Sequence, residues 1–297
     1  MNDRLTRRLA TLLAVVAVLA TGACSSSSPP QDGRVHVVTS TNVWGDVVTQ
    51  VGGDLVDVTS LIDNPSADPH SYETNAQAQL ALSRAALVVQ NGGGYDDFLA
   101  TMLSALGTPP LVVTAVDQSD AYATAGNEHV WYDLPTVGAV ADAVAKELST
   151  LDPTNAATYA ANAATFHTGL DGLAGDTAAI AADHTGTPVA VTEPVPHYLL
   201  AAAGLDDVTP PAFSAAIENE TDVPATVLAQ MLDLFAGGRV AALVNNSQTA
   251  GPQTDLVVKA AQDAGVPVVG VRETLPAGQD YLTWMGATIA ALAAALA

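Results

Sequence analysis

The sequence holds a single cysteine, Cys24, in 297 residues. One thiol closes no internal disulfide, and it builds neither a cysteine-rich zinc site nor an iron–sulfur cluster. Basic residues are also scarce. Nine Lys and Arg stand against 31 Asp and Glu, for a formal net charge of −22. Arg4, Arg7 and Arg8 precede Cys24 with one acid, Asp3, so the rest carries 30 acids and 6 bases, or −24. Such a surface repels phosphate, which excludes nucleic-acid binding, and it attracts cations over a long range. No His-Glu-x-x-His pair occurs, so a familiar mark of zinc hydrolases is missing. Beyond the N-terminus no segment reads as membrane-spanning. The alanine-rich C-terminal run is interrupted by Thr283, Trp284, Gly286 and Thr288 and reads as a packed helix. Apolar residues make up 49% of the chain, enough for a core and too many for a disordered chain. The length fits about two domains of roughly 150 residues each.

Residues 1–24 read as a lipoprotein signal peptide. Arg4, Arg7 and Arg8 form its positive region. Leu9 to Ala20 is an uninterrupted apolar or small run, too short to span a bilayer. Thr21-Gly22-Ala23-Cys24 resembles a bacterial lipobox, in which Cys24 becomes the lipidated first residue of the mature protein. Ordinary secretory cleavage with a free thiol is the alternative. Residues 25–33, opening on four serines and two prolines, read as a flexible polar tether. The expected location is extracytoplasmic, on the outer face of the cell membrane.

The body alternates strands and helices. Val35–Thr39, Leu55–Ile62, Leu87–Gln90 and Leu111–Ala115 are strand-like, with helical stretches near Trp44–Val51, Asn75–Arg84 and Asp96–Leu106. Strand-like runs return at Pro188–Thr192, Val240–Val244 and Val266–Val271. Helical patterns there cover Pro196–Ala203, Pro224–Ala236, Pro252–Ala264 and Asp280–Leu296. This order implies mostly parallel sheets covered on both faces. Between the halves, Pro153 to about Ala182 is alanine-rich, and Asp152-Pro153 is a good helix start. About thirty helical residues would span about 45 Å and act as a stiff spine. Two shorter helices broken near Gly169–Gly175 remain the alternative. The expected fold is α/β, with two lobes joined by one long interdomain helix: lobe 34–150, linking helix 151–183, lobe 184–297.

Ligand sites in open α/β sheets lie beyond the carboxyl ends of the strands. The hard donors found there are His70, His129, Glu193 with His197 four residues on, and Glu273 followed by Asp280. Four such side chains converging on a cleft between lobes would form a closed nitrogen and oxygen site. Taken singly each has an ordinary use, Glu193 as a helix N-terminal acid and Glu273 as a partner of Arg272 or Lys259. His36 lies within the first strand, His167 on the spine and His184 at its end, so their readings are structural.

Val35 to Leu99 resembles the solute-binding lipoproteins of bacterial zinc and manganese ABC importers, the cluster A-I metal-binding proteins. The likeness rests above all on GGDLVDVTSL (Gly52–Leu61), ADPHSYE (Ala67–Glu73) and LVVQNGGG (Leu87–Gly94). HVWYDLP (His129–Pro135) resembles the family's second ligand motif. LDPTNAATYAANAATF (Leu151–Phe166) resembles the opening of its interdomain helix. The resemblance implies a buried metal in the cleft, with His70 and His129 as ligands from the first lobe. It puts Glu193 at the third position, with His197 as competitor, and Glu273 at the fourth, with Asp280 as fallback. Asp117–Glu128 contains no histidine, so the His-rich loop of many zinc-importing members is absent.

Two imidazoles and two carboxylates suit several metals. The Irving–Williams order favours zinc over manganese on shared donors, while oxygen-rich sets and the missing His-rich loop favour manganese. One divalent transition metal is expected, with zinc ahead of manganese. The implied function is capture of that ion for the membrane permease of an ABC importer, by a monomer and without catalysis. A zinc-dependent hydrolase and an adhesin-like surface lipoprotein are the alternatives.

Overall fold

In the computed structural model, residues 33–64, 72 and 74–297 are described. The expected signal peptide, Cys24, the expected tether up to residue 32 and His70 lie outside them.

β-branched residues dominate β1 (Val35–Thr41), and a pleated strand suits their stiff side chains. It pairs in parallel with β2 (Val56–Ile62) on one side and β3 (Leu87–Gln90) on the other, and β3 pairs with β4 (Leu111–Thr114). Sheet order is β2-β1-β3-β4. The second lobe repeats it with β5 (Pro188–Val191), β6 (Asp206–Asp207), β7 (Leu243–Asn246) and β8 (Val268–Val271), in the order β6-β5-β7-β8, again all parallel. Strands buried on both faces read as continuous apolar runs, and Leu87, Val88 and Val89 are fully buried.

The helices are α1 (Asn42–Gly52), α2 (Ala76–Arg84), α3 (Asp97–Ser104), α4 (Asp120–Ala125), α5 (Leu134–Leu151), α6 (Ala156–His184), α7 (His197–Ala202), α8 (Pro211–Glu218), α9 (Ala225–Ala236), α10 (Pro252–Asp263) and α11 (Tyr281–Leu296). Three of them, α4, α5 and α8, go beyond the sequence reading. In α5 the start signal was present: Asp133 is the N-cap, its carboxylate accepts from the Thr136 N–H, and Pro135 sits in the first turn. Its valines, threonines and Gly138 mask the helical period.

The linking helix α6 runs unbroken through Gly169, Gly172 and Gly175, so the two-helix alternative does not hold. It starts later than expected, because Pro153–Asn155 forms a 3₁₀ turn. Strand β7 also sits later than Val240–Val244. The apolarity of Val240 serves the core near Leu234 and Phe235, while the ladder extends through Asn245 and Asn246, paired with Gly270 and Val271.

Helix α6 packs on α1, α5 and α11, so it touches elements of both lobes. One apolar cluster joins Trp44, Tyr159, Phe166, Tyr281 and Trp284. Polar ties reinforce it. The Asn42 side chain donates to Leu275 O at 3.1 Å and accepts from Leu275 N at 2.9 Å. Tyr132 Oη donates to Arg272 O at 2.8 Å, and Tyr281 Oη donates to Trp131 O at 2.7 Å. Among the described residues no helix is long and apolar enough to cross a membrane.

Candidate metal centre

Helix α4 ends at Gly126, whose φ of 69° puts it in the left-handed region that glycine enters without strain. The chain then bends at Glu128, just after Asn127. Asn127 Oδ1 accepts from the His129 N–H at 2.9 Å and contacts the ring nitrogen Nδ1 at 3.0 Å. Its Nδ2 donates to Pro194 O at 3.0 Å. A backbone donor at one end and a proline carbonyl at the other fix which way this amide points. Oδ1 is therefore an acceptor, so Nδ1 of His129 carries a proton. In a neutral imidazole that leaves the lone pair on Nε2, the form that binds metals.

His129 is fully buried, and its Nε2 lies 3.4 Å from Glu218 Oε1. Glu128 joins them. Among the described residues these three form the one group of at least three His, Cys, Asp or Glu with donor atoms all within 4.8 Å of one another. A lone-pair nitrogen and a carboxylate oxygen at this distance repel unless a proton or a metal ion lies between them. The donor set fits a divalent cation, and the ring is held by the edges of Tyr95 and Trp131, with centroids 6.2 and 5.1 Å away. Behind it, Asn91 Nδ2 donates to Glu128 O at 2.9 Å, and Trp44 Nε1 donates to Asn91 Oδ1 at 3.2 Å. Asp96 in turn accepts from the N–H groups of Asn91 and Gly92 at 2.6 and 2.8 Å. Burial raises the Asp96 carboxyl above its ordinary value despite those bonds.

The remaining residues expected at the site fall as follows. Glu193 follows β5 and is buried, and the Thr249 hydroxyl donates to its Oε2. Glu273, just beyond β8, is buried too. Its Oε1 accepts from Asn246 Nδ2 at 2.8 Å, and its N–H donates to Gln248 Oε1 at 2.6 Å. Neither carboxylate belongs to the close group around His129. His197 is exposed at the start of α7, with its ring edge-on to Tyr198. Asp280 is the N-cap of α11, accepting from Thr283 N at 2.7 Å. Both fallbacks thus have structural positions of their own.

Glu218 is the residue that strand-end reasoning passed over, because it ends a helix. A signal existed. An acid at a helix C-terminus opposes the macrodipole and asks for a reason, and Glu218 closes α8 with Glu220 and Asp222 beyond it.

Solved structures share this architecture. The periplasmic zinc-binding protein TroA of Treponema pallidum superposes with a TM-score of 0.76 at 20% identity, covering 89% of this chain and 100% of that one. FpvC of Pseudomonas aeruginosa, solved with Mn2+, gives 0.74 at 22% identity over 89% and 98%. At these identities the likeness establishes the fold. In sequence, the manganese-binding lipoprotein MntA of Halalkalibacterium halodurans is 25% identical over 164 residues, 52% of this chain and 53% of that protein. The metal ABC transporter substrate-binding lipoprotein FimA of Streptococcus parasanguinis is 28% identical over 176 residues, 54% of this chain and 57% of FimA. The chain thus spans little more than half the length of these curated relatives. The family model described as Zinc-uptake complex component A periplasmic (ZnuA) matches residues 37–295, and the chain belongs to that family.

Proposed function

We propose that this protein captures a divalent transition-metal ion outside the cytoplasm and passes it to the membrane permease of an ABC importer. The observation that carries the reading is the buried His129 Nε2 facing the Glu218 carboxylate at 3.4 Å, with Asn127 holding the opposite ring nitrogen. Family membership and the names of the relatives support it. In this reading His129 and Glu218 are the central ligands. His70 is the second imidazole and Glu273 the second carboxylate, both taken from the family resemblance, since His70 lies outside the described residues and Glu273 outside the close group of Glu128, His129 and Glu218. Glu218 thereby takes the part that the family resemblance gave to Glu193. Two neutral imidazoles and two carboxylates neutralise a divalent ion, which lowers the cost of burying it. Four protein donors also leave no open coordination position for a hydrolytic water, so the ion is cargo rather than catalyst.

Zinc is the favoured cargo, because it binds these donors more tightly than manganese. The manganese reading draws on the names of relatives such as MntA and on the carboxylate share of the set. Cys24 is the proposed lipid anchor that keeps the protein on the outer face of the membrane.

Calorimetric titration with zinc and with manganese tests the assignment. His129→Ala and Glu218→Gln should each cost on the order of 100-fold in affinity or more, exceeding the roughly 10–100-fold that supporting residues carry. Glu193→Gln should cost less. If Glu193→Gln is the more damaging and Glu218→Gln binds as wild type, Glu193 is the third ligand and Glu218 is not. Metal analysis of protein purified without chelator identifies the physiological ion.

A further inference from the structure

The segment that carries His129 is held from the opposite lobe at two points. Asn127 Nδ2 donates to Pro194 O at 3.0 Å, and Tyr198 Oη donates to Asn127 O at 2.5 Å. Pro194 directly follows Glu193 at the end of β5, and Tyr198 is the second residue of α7. Tyr198 is buried, with its ring in the core shared by both lobes. Burial pushes its hydroxyl up to about 12, so it remains a donor throughout the working pH range. On its other side, the same Asn127 amide contacts the His129 ring at 3.0 Å.

We infer that Asn127 is a positioning residue that both aims His129 at the ion and transmits metal occupancy to the second lobe through Pro194 and Tyr198. The inference rests on the metal-binding reading and adds a residue and a direction of coupling to it. The physical argument is one of shared geometry. The Asn127 side chain has a single orientation that satisfies His129 and Pro194 together. An ion that pulls on Nε2 therefore loads the Asn127 amide, and the amide is tied to the loop before α7. Because α7 is only six residues long and begins beside that tie, its amides should report the load.

The test combines zinc titration, the ligand-field spectrum of the Co2+ form and amide hydrogen exchange. In the wild type, zinc should slow exchange at residues 197–202 by about 5-fold or more, the lower end of coupling between sites. Asn127→Leu keeps the shape but removes both hydrogen-bonding atoms. It should lose about 10–100-fold in zinc affinity, as supporting residues of metal ligands do, and should change the Co2+ spectrum. Asn127→Asp restores an acceptor for the ring N–H but not the donor to Pro194. It should recover affinity and the Co2+ spectrum without recovering the zinc-dependent slowing at 197–202. Tyr198→Phe should also diminish that slowing. Asn127→Leu with wild-type affinity and spectrum would overturn the positioning role. Wild-type protein that binds zinc without any change at 197–202 would overturn the coupling. Failure of the wild type to bind zinc or Co2+ would instead bring down the metal-binding reading on which this one stands.

Discussion

The three glycines of α6 offer a test of how the spine is packed. A glycine inside a helix costs about 1 kcal/mol relative to alanine, because its backbone loses more freedom on folding. Gly172 and Gly175 are exposed, and a Cβ built at either meets nothing within 4 Å. Each change to alanine should therefore return most of that cost, so Gly172→Ala plus Gly175→Ala should gain about 2 kcal/mol. For a chain of this size that corresponds to roughly 4–8 °C in Tm, at about 2–4 °C per kcal/mol. Gly169 is different. A Cβ there would lie 2.4 Å from Leu282 Cδ1 and 3.1 Å from its Cδ2, so the half-buried Leu282 side chain on α11 must shift. Moving that side chain out of its packed position offsets part or all of the gain in helix propensity, so Gly169→Ala should gain less than either of the other two. Thermal unfolding of the three single variants and the 172/175 double variant, without metal, measures this directly. Equal gains at all three positions would refute the close approach of α6 and α11. Losses at 172 and 175 would refute a continuous, solvent-facing helix there.

The lobe-spanning core and the polar ties from Asn42, Tyr132 and Tyr281 resist wide opening. Small-angle scattering curves with and without zinc should nearly superimpose, and a large fall in radius of gyration on binding would contradict this. Asp96 and Asp152 should act oppositely on the pH dependence of stability. Burial raises the Asp96 carboxyl above 3.8, so its contribution is present below the unfolded value and is lost as pH rises through the raised native one. Asp152 is held low chiefly by the Asn155 amide, with Tyr159 also donating to it, so its contribution is present above the unfolded value and is lost as pH falls through the lowered native one. Urea titrations of metal-free Asp96→Asn and Asp152→Asn across the acid range should show slope changes of opposite sign, and like signs would refute the assignment. Cys24→Ser should shift the protein from the detergent phase to the aqueous or unprocessed fraction, and unchanged partitioning would refute the lipid anchor.

The α/β architecture was legible in the sequence because local chemistry carried it. β-branched runs formed the strands, and alanine with Asp152-Pro153 gave the spine, although its first turn proved to be 3₁₀. The segment around His129 was legible too, because Asp133 and Pro135 mark the start of α5 just beyond it. The pairing of His129 with Glu218 was not. The two residues stand 89 positions apart, and only the packing of the second lobe against the first brings the end of α8 to the ring. The hydrogen bond from Asn127 to Pro194 across the lobes was hidden for the same reason. A sequence fixes propensities over one or two turns of chain. Which acid meets which imidazole depends on how two separately formed layers bury their shared apolar surface, and that is a property of the tertiary structure alone.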